Sequence, residues 1–154
     1  MNTIIYELIV IGGGISSCTF VSDLLAKGFK GKIAIIEAGR NLGGRCSSRI
    51  SKKNSGWILN HGSPNFNIIN KSNDLKLNKF LSELLEKNII KKDNSLIIEL
   101  DKNLNFSNNL TNEFCMGNIY SSTSFIGDLA NQILNLNNKS KQVDLYFYLF
   151  TFII

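Results

Sequence analysis

Cysteine, histidine and runs of one charge are scarce in this chain, and each scarcity removes a class of function. The three cysteines, Cys18, Cys46 and Cys115, are odd in number, far apart and never in C-x-x-C spacing. That excludes a disulfide framework and a cysteine zinc site, and it suits a reducing compartment; no metal is expected. Lys and Arg outnumber Asp and Glu by 17 to 12, but the excess is scattered, so no nucleic-acid partner is expected. The apolar stretch Leu145 to Ile154 is far shorter than the roughly 20 residues that a spanning helix needs, so no membrane partner is expected either. The run Ile4 to Ile11 contains Glu7, leads straight into glycines and lacks a basic leader or a small-residue cleavage site, which argues against a signal peptide. A soluble, cytoplasmic protein is the expectation. No internal repeat is visible. With 44% of residues apolar and 19% charged, the composition is that of a globular domain and not of a disordered chain.

The pattern at the amino terminus is β-α-β. Ile4 to Ile11 is a near-continuous apolar run that stops at Gly12, as a buried parallel strand does. From Ile15 to Lys27 the apolar residues Ile15, Cys18, Val21, Leu24 and Leu25 share one helical face, and Gly28 and Gly31 end the helix. Lys32 to Glu37 forms a second short strand. Such a unit allows the right-handed parallel crossover. Ala38 to Ser51 reads as a glycine- and arginine-rich loop, Gly56 to Leu59 as a strand and His61 to Pro64 as a turn. Asn73 to Lys87 has helical spacing, with Leu77, Phe80, Leu81, Leu84 and Leu85 on one side. Leu96 to Leu100 reads as a strand and Asp101 to Thr111 as loop. Thr123 to Leu136 reads as one helix capped by Ser122 or Thr123, and Val143 to Ile154 as a strand.

Gly12-Gly13-Gly14-Ile15-Ser16-Ser17 stands between the first strand and the first helix. It is close to the G-x-G-x-x-G pattern of dinucleotide sites. Gly12 permits the tight turn, and Gly14 lets a pyrophosphate approach the backbone. The helix start at Ile15 and Ser16 offers free N–H groups and partial positive charge. Ser17 replaces the third glycine, whose role is close helix–strand packing. The second strand ends in Glu37, placed to accept hydrogen bonds from the adenosine ribose; its charge disfavours a 2′-phosphate and hence NADP.

The segment Glu37-Ala38-Gly39-Arg40-Asn41-Leu42-Gly43-Gly44-Arg45 reads E-A-x-R-x-x-G-G-R. Two glycines let backbone pass close to a ligand, and arginine offers planar donors for a diphosphate. This segment resembles that of the flavin-containing amine oxidase and renalase-like family of FAD-dependent oxidoreductases. The resemblance implies that Glu37 and Ala38 meet the adenosine ribose, and that Arg40, Gly43, Gly44 and Arg45 run beside the diphosphate and flavin side of FAD. Trp57 to Phe66 is similar to the family segment that brings backbone near the flavin ring, with Gly62 and Ser63 in its pattern. Asn60 stands where the family usually has Asp, and Asn65 where an aromatic is common. His61, the only histidine, reads either as a turn residue with a satisfied ring or as a general base, and no catalytic residue is assigned.

The expected fold is α/β: a Rossmann-type FAD/NAD(P)-binding domain with a parallel sheet, plus the start of an inserted α+β segment. Residues 1–70 would form the FAD-binding unit and flavin-approach loop, 71–120 a partial substrate-side cap, and 121–154 a helix and strand returning to the FAD domain. Two functions stand side by side. One is hydride transfer from an amine or reduced nicotinamide-type substrate to FAD; the other is a non-catalytic FAD- or nucleotide-binding fragment of a split or truncated flavoprotein. Family members carry a substrate domain and a later Gly-Asp FAD segment. Neither has an obvious counterpart here, and Gly127-Asp128 falls inside a predicted helix and is given no role. On that account the apolar carboxy-terminal strand is expected to associate, with a second half or with another chain.

Overall fold

The structure is a computed structural model, and it describes residues 4–53, 56–68, 74–94, 99–107, 117–138 and 141–147. The chain forms two compact units, one of residues 1–63 with 124–154 and one of residues 64–123.

The first unit is built on strand β1 (Leu8–Ile11), helix α1 (Ile15–Ala26) and strand β2 (Ile33–Glu37). β1 and β2 run parallel, with Leu8 opposite Ile33 and Ile11 opposite Ile36. The outer partner of β2 comes from the far end of the chain. This strand (Val143–Phe147) also runs parallel, with Val143 opposite Ile33 and Phe147 opposite Glu37. Alternation along the strands sends Leu8, Val10, Ile33, Ile35, Val143 and Phe147 to one face. There they meet Cys18, Val21 and Leu25 of α1 and Ala130 and Leu134 of the helix Leu129–Asn135. Ile33, Ile35, Cys18 and Val21 have no exposed surface. Each large apolar side chain so removed from water contributes about 1.5–3 kcal/mol. This is an α/β fold of Rossmann-like type, with parallel strands and covering helices.

Several boundaries move from those read in the sequence. β1 begins at Leu8 and not Ile4, because Glu7 and Leu8 both donate to Lys32 O and only from there does the ladder run; Ile5 is 73% exposed. Within the span read as loop, Ser48–Ile50 forms strand β3, antiparallel to β4 (Ile58–Asn60). The cause is tertiary pairing: both strands are short and largely exposed, so no burial alternation marks them. Thr123 to Leu136 is not one helix. A 3-10 turn at Ile126–Asp128 precedes the α-helix, and neither Ser122 nor Thr123 caps it. Ser122 ends a strand, while Thr123 Oγ1 donates to Asn88 O at 2.6 Å.

In the second unit, β5 (Phe66–Ile68), helix α2 (Leu75–Glu86), β6 (Ile90–Asp93), β7 (Glu99–Leu100), β8 (Phe106–Ser107) and β9 (Asn118–Ser122) follow in order. The last strand of the first unit is therefore β10, and its last helix α3. β9 is the centre of an antiparallel sheet in the order β5-β9-β6. β7 and β8 form a hairpin, so part of the Asn-rich span read as loop is strand. α2 begins at Asp74, whose carboxylate accepts from Lys76 N and Leu77 N, and it buries Leu81 and Leu84. Residues 96–98 of the predicted strand at Leu96 to Leu100 and residues 148–154 of the predicted carboxy-terminal strand lie outside the described residues.

Candidate functional site

Both glycine loops leave the carboxyl ends of parallel neighbours β1 and β2, where α/β sheets bind ligands. Gly12 takes φ +88°, a left-handed value that favours glycine, and its N–H donates to Ile36 O at 2.7 Å. The chain thus turns directly into α1. Cys18 N–H donates to Gly14 O, the first helical bond. Helical geometry leaves the N–H groups of Ile15, Ser16 and Ser17 without a helical acceptor. Gly14 caps the helix without a side-chain bond, and the first turn holds no acidic residue. A Cβ at Gly14 would meet nothing within 4 Å, so no protein atom crowds the turn that precedes these donors. Such an arrangement favours an anion.

The second loop is stitched onto the first. Gly43 N–H donates to Gly13 O at 2.8 Å, and Gly14 and Gly43 form an isolated parallel bridge. A Cβ on Gly43 would run into the carbonyl oxygen of Cys46, so the loop can close only with glycine there. Leu42, 7% exposed, anchors the loop in the core. Gly44 is exposed beside Gly14; a Cβ on it would stand 3.5 Å from the Gly14 Cα.

Glu37 binds both loops. Its Oε2 accepts from Gly13 N and its Oε1 from Gly39 N, each at 2.6 Å. An ionised carboxylate has about four acceptor sites, so these two bonds leave room for two hydroxyl donors. The thiol of Cys18, directly below, points to Gly13 O at 3.7 Å. Burial, with the nearby Glu37 charge, pushes it up to about 11. Burial also raises the Cys46 thiol, against the opposing pull of Arg45. Cys115 lies outside the described residues.

An open cleft of about 1290 Å³ lies on this unit. Of the residues singled out in the sequence, Glu37, Arg40, Gly44 and His61 line it. Gly12, Gly14, Ile15, Ser16, Ala38, Gly43, Arg45, Gly62 and Ser63 lie outside its lining. Gly12, Gly14, Ile15, Ser16 and Gly43 form the turn and helix start just described. Ala38 and Arg45 are exposed. Gly62 and Ser63 bring the β4 end onto the second loop: Ser63 N donates to Arg45 O at 2.9 Å, and Gly62 N to Ser47 O at 3.3 Å. A Cβ at Gly62 would collide with Arg45 O, which explains the glycine. His61 Nδ1 stands 3.5 Å from Ser47 Oγ.

Asp128 also lines the cleft, and the 3-10 turn that carries it packs against β3. Gly127 lines the same cleft, in that turn and not inside an α-helix. The signal that marks it is glycine itself, a poor helix former inside an otherwise smooth apolar spacing. Arg49 and Lys52 add positive charge to the same cleft, and Arg40, Arg45, Arg49 and Lys52 have no ion pair among the described residues. Among the described residues no cluster of His, Cys, Asp or Glu could hold a metal ion, and no helix is long and apolar enough to cross a membrane.

An unpaired helix start, together with the strand-end carboxylate and the arginines that line an open cleft, suits a negatively charged dinucleotide with free ribose hydroxyls. No curated protein shows significant similarity to the chain. Residues 10–84, which contain both glycine loops and Glu37, match the family model of the NAD(P)-binding Rossmann-like domain.

Proposed function

We propose that the protein binds FAD and acts as an oxidoreductase similar to amine oxidases and renalase. Hydride would pass from an amine or a reduced nicotinamide-type substrate to the flavin. The carrying observation is the second glycine loop, held on the first by the Gly43 N to Gly13 O bond. A simple NAD dehydrogenase does not need it, and it brings Arg40 and Gly44 into one cleft with Glu37. When bound, FAD supplies the two-electron acceptor. Glu37 would hold the adenosine ribose, the α1 amino terminus and Gly14 the diphosphate, and Arg40 its negative charge. Arg45, Gly62 and Ser63 would lie toward the flavin.

The test is an absorbance spectrum of the purified chain after incubation with FAD and removal of free flavin. Flavin bands that stay with the protein, and that bleach anaerobically with a dihydronicotinamide or an amine, support the proposal. A chain that holds NAD and does not take up FAD refutes it. A second reading, FAD binding without turnover, is favoured by the exposure of Ile50, Trp57 and Leu59 on and beside the β3–β4 hairpin at 68%, 64% and 58%. Flavin chemistry is served by excluding water, and these side chains leave the hairpin wet. Retained flavin that no such donor reduces would decide for this second reading.

A further inference from the structure

Ile126 is 1% exposed, and its N–H stands at the start of a 3-10 turn, where no helical acceptor is available. It donates to Oδ1 of Asn60 at 3.3 Å. The same oxygen accepts from Ser48 Oγ at 2.7 Å, and that hydroxyl in turn accepts from Gly127 N at 2.9 Å. The relay uses both capacities of a hydroxyl, one donor and one lone pair, and both lone pairs of an amide oxygen. Two side chains, one on β3 and one on β4, thereby fasten the turn to the hairpin. The approach is close: a Cβ on Gly127 would stand 2.9 Å from Ser48 N and 3.1 Å from its Cβ.

The fastening bears on the cleft. A Cβ built on Gly43 would lie 3.4 Å from Gly127 O, so the turn abuts the second glycine loop. The next residue, Asp128, lines the cleft, its carboxylate held by Gln132 Nε2 at 2.6 Å and Asn131 Nδ2 at 3.2 Å. An acidic group in a cleft that takes a negatively charged ligand must be kept at a fixed distance, because its repulsion grows on approach.

We propose that Asn60 is a positioning residue. By accepting from both Ser48 and Ile126, it fixes the 126–128 turn against the Gly43–Gly44 loop and sets the shape of the cleft that receives a dinucleotide beside Glu37 and Arg40. The second half of this statement rests on the dinucleotide-binding reading above. The working atom is an acceptor oxygen, so Asp replaces Asn60 and Leu does not.

Hydrogen exchange followed by mass spectrometry on the whole chain tests the fastening without any ligand, and flavin fluorescence titration tests its consequence. Asn60→Leu should speed exchange over 126–128 about tenfold and raise the FAD Kd about tenfold, as loss of a buried amide's acceptor predicts. Asn60→Asp should stay within about threefold of the original protein in both. Unchanged exchange in Asn60→Leu, or equal losses in the Leu and Asp variants, overturns the proposal. Faster exchange in Asn60→Leu with unaltered FAD affinity overturns the positioning role. If Asn60→Leu unfolds, Ser48→Ala decides, since it removes the Gly127 leg and the Ser48–Asn60 bond but leaves the Ile126 amide its Asn60 acceptor: unchanged exchange at Gly127 overturns the relay. An original chain that takes up no FAD refutes the functional reading and with it the positioning role, and the exchange arm then decides the relay alone.

Discussion

Glu37 should matter to the fold before any ligand arrives. Its two carboxylate oxygens accept from Gly13 N and Gly39 N at 2.6 Å, and Gly13 is buried. A hydrogen bond to a charged acceptor contributes about 1.5–3 kcal/mol. The carboxylate is only half-buried, which places the pair near the bottom of the summed range. Glu37→Ala removes both acceptors and strands the Gly13 amide, so a loss of about 2–4 kcal/mol is expected. Glu37→Gln keeps one acceptor and turns an NH₂ toward the other amide, so about 1–2 kcal/mol is expected. Against a typical total of about 5–15 kcal/mol, both are measurable. Urea unfolding followed by circular dichroism checks them, with an unchanged m-value showing that stability alone has moved. The same variants should weaken dinucleotide binding by about 1–3 kcal/mol, in the same order. If Glu37→Ala unfolds within about 0.5 kcal/mol of the original protein, the two bonds carry no net stability and the reasoning is refuted.

Gly14→Val should separate folding from binding. The φ of −74° suits any residue and a Cβ there meets no protein atom, so the melting temperature should hardly move, while the new methyls stand where a phosphate must approach and FAD retention should be lost; retained flavin would remove the phosphate-site argument. Burial raises the Cys18 thiol from its ordinary 9.0 to about 11, so the neutral thiol contributes stability that is complete below pH 9 and is lost as pH rises toward 11. The urea midpoint should therefore fall between pH 8 and pH 10, and Cys18→Ala should flatten that fall; equal slopes would contradict the burial account. In the β7–β8 hairpin, bonds from Asn105 and Asn103 hold the Asp101 carboxyl below its ordinary 3.8, so its contribution is present above that value and disappears as pH falls through the lowered one. Asp101→Asn should speed amide exchange at Asn103 and Asn105 at neutral pH, and unchanged rates would show the turn to be held by its backbone alone.

The β1-α1-β2 unit was legible because each of its signals is local. The glycines at 12 and 14, the spacing of Cys18, Val21 and Leu25, and the apolar run ending in Glu37 lie within one crossover. The helix at Leu75–Glu86 was legible for the same reason. Of the antiparallel strands only β4 and β7 were read, at Gly56 to Leu59 and Leu96 to Leu100. Ile90-Lys91-Lys92-Asp93 carries one buried residue and takes its partners from Ile119 to Ser122, about thirty positions on, so neither periodicity nor a turn signal announces it. β4 was met by the strand read at Gly56 to Leu59, but its partner β3 was not, since both faces of the hairpin are largely exposed and no alternation is imposed on the sequence.

The site shows the same division between local signal and long-range consequence. Glycine at 43 and 62 stands out in the sequence, in the E-A-x-R-x-x-G-G-R run and in the turn at His61 to Pro64. Their structural necessity comes from elsewhere: each leaves room for a carbonyl, of Cys46 and of Arg45, that a side chain would strike. Gly127 carries the argument furthest. Apolar spacing at Phe125, Ile126, Leu129 and Ile133 continues smoothly enough to suggest one helix, yet glycine is a poor interior helix residue and costs up to about 1 kcal/mol there. The chain resolves that conflict by starting α3 only at Leu129 and using Gly127 to come within contact of Ser48. A glycine that local propensity disfavours, at a position where periodicity alone would accept almost anything, is therefore a pointer to close approach, and here what approaches is a wall of the cleft.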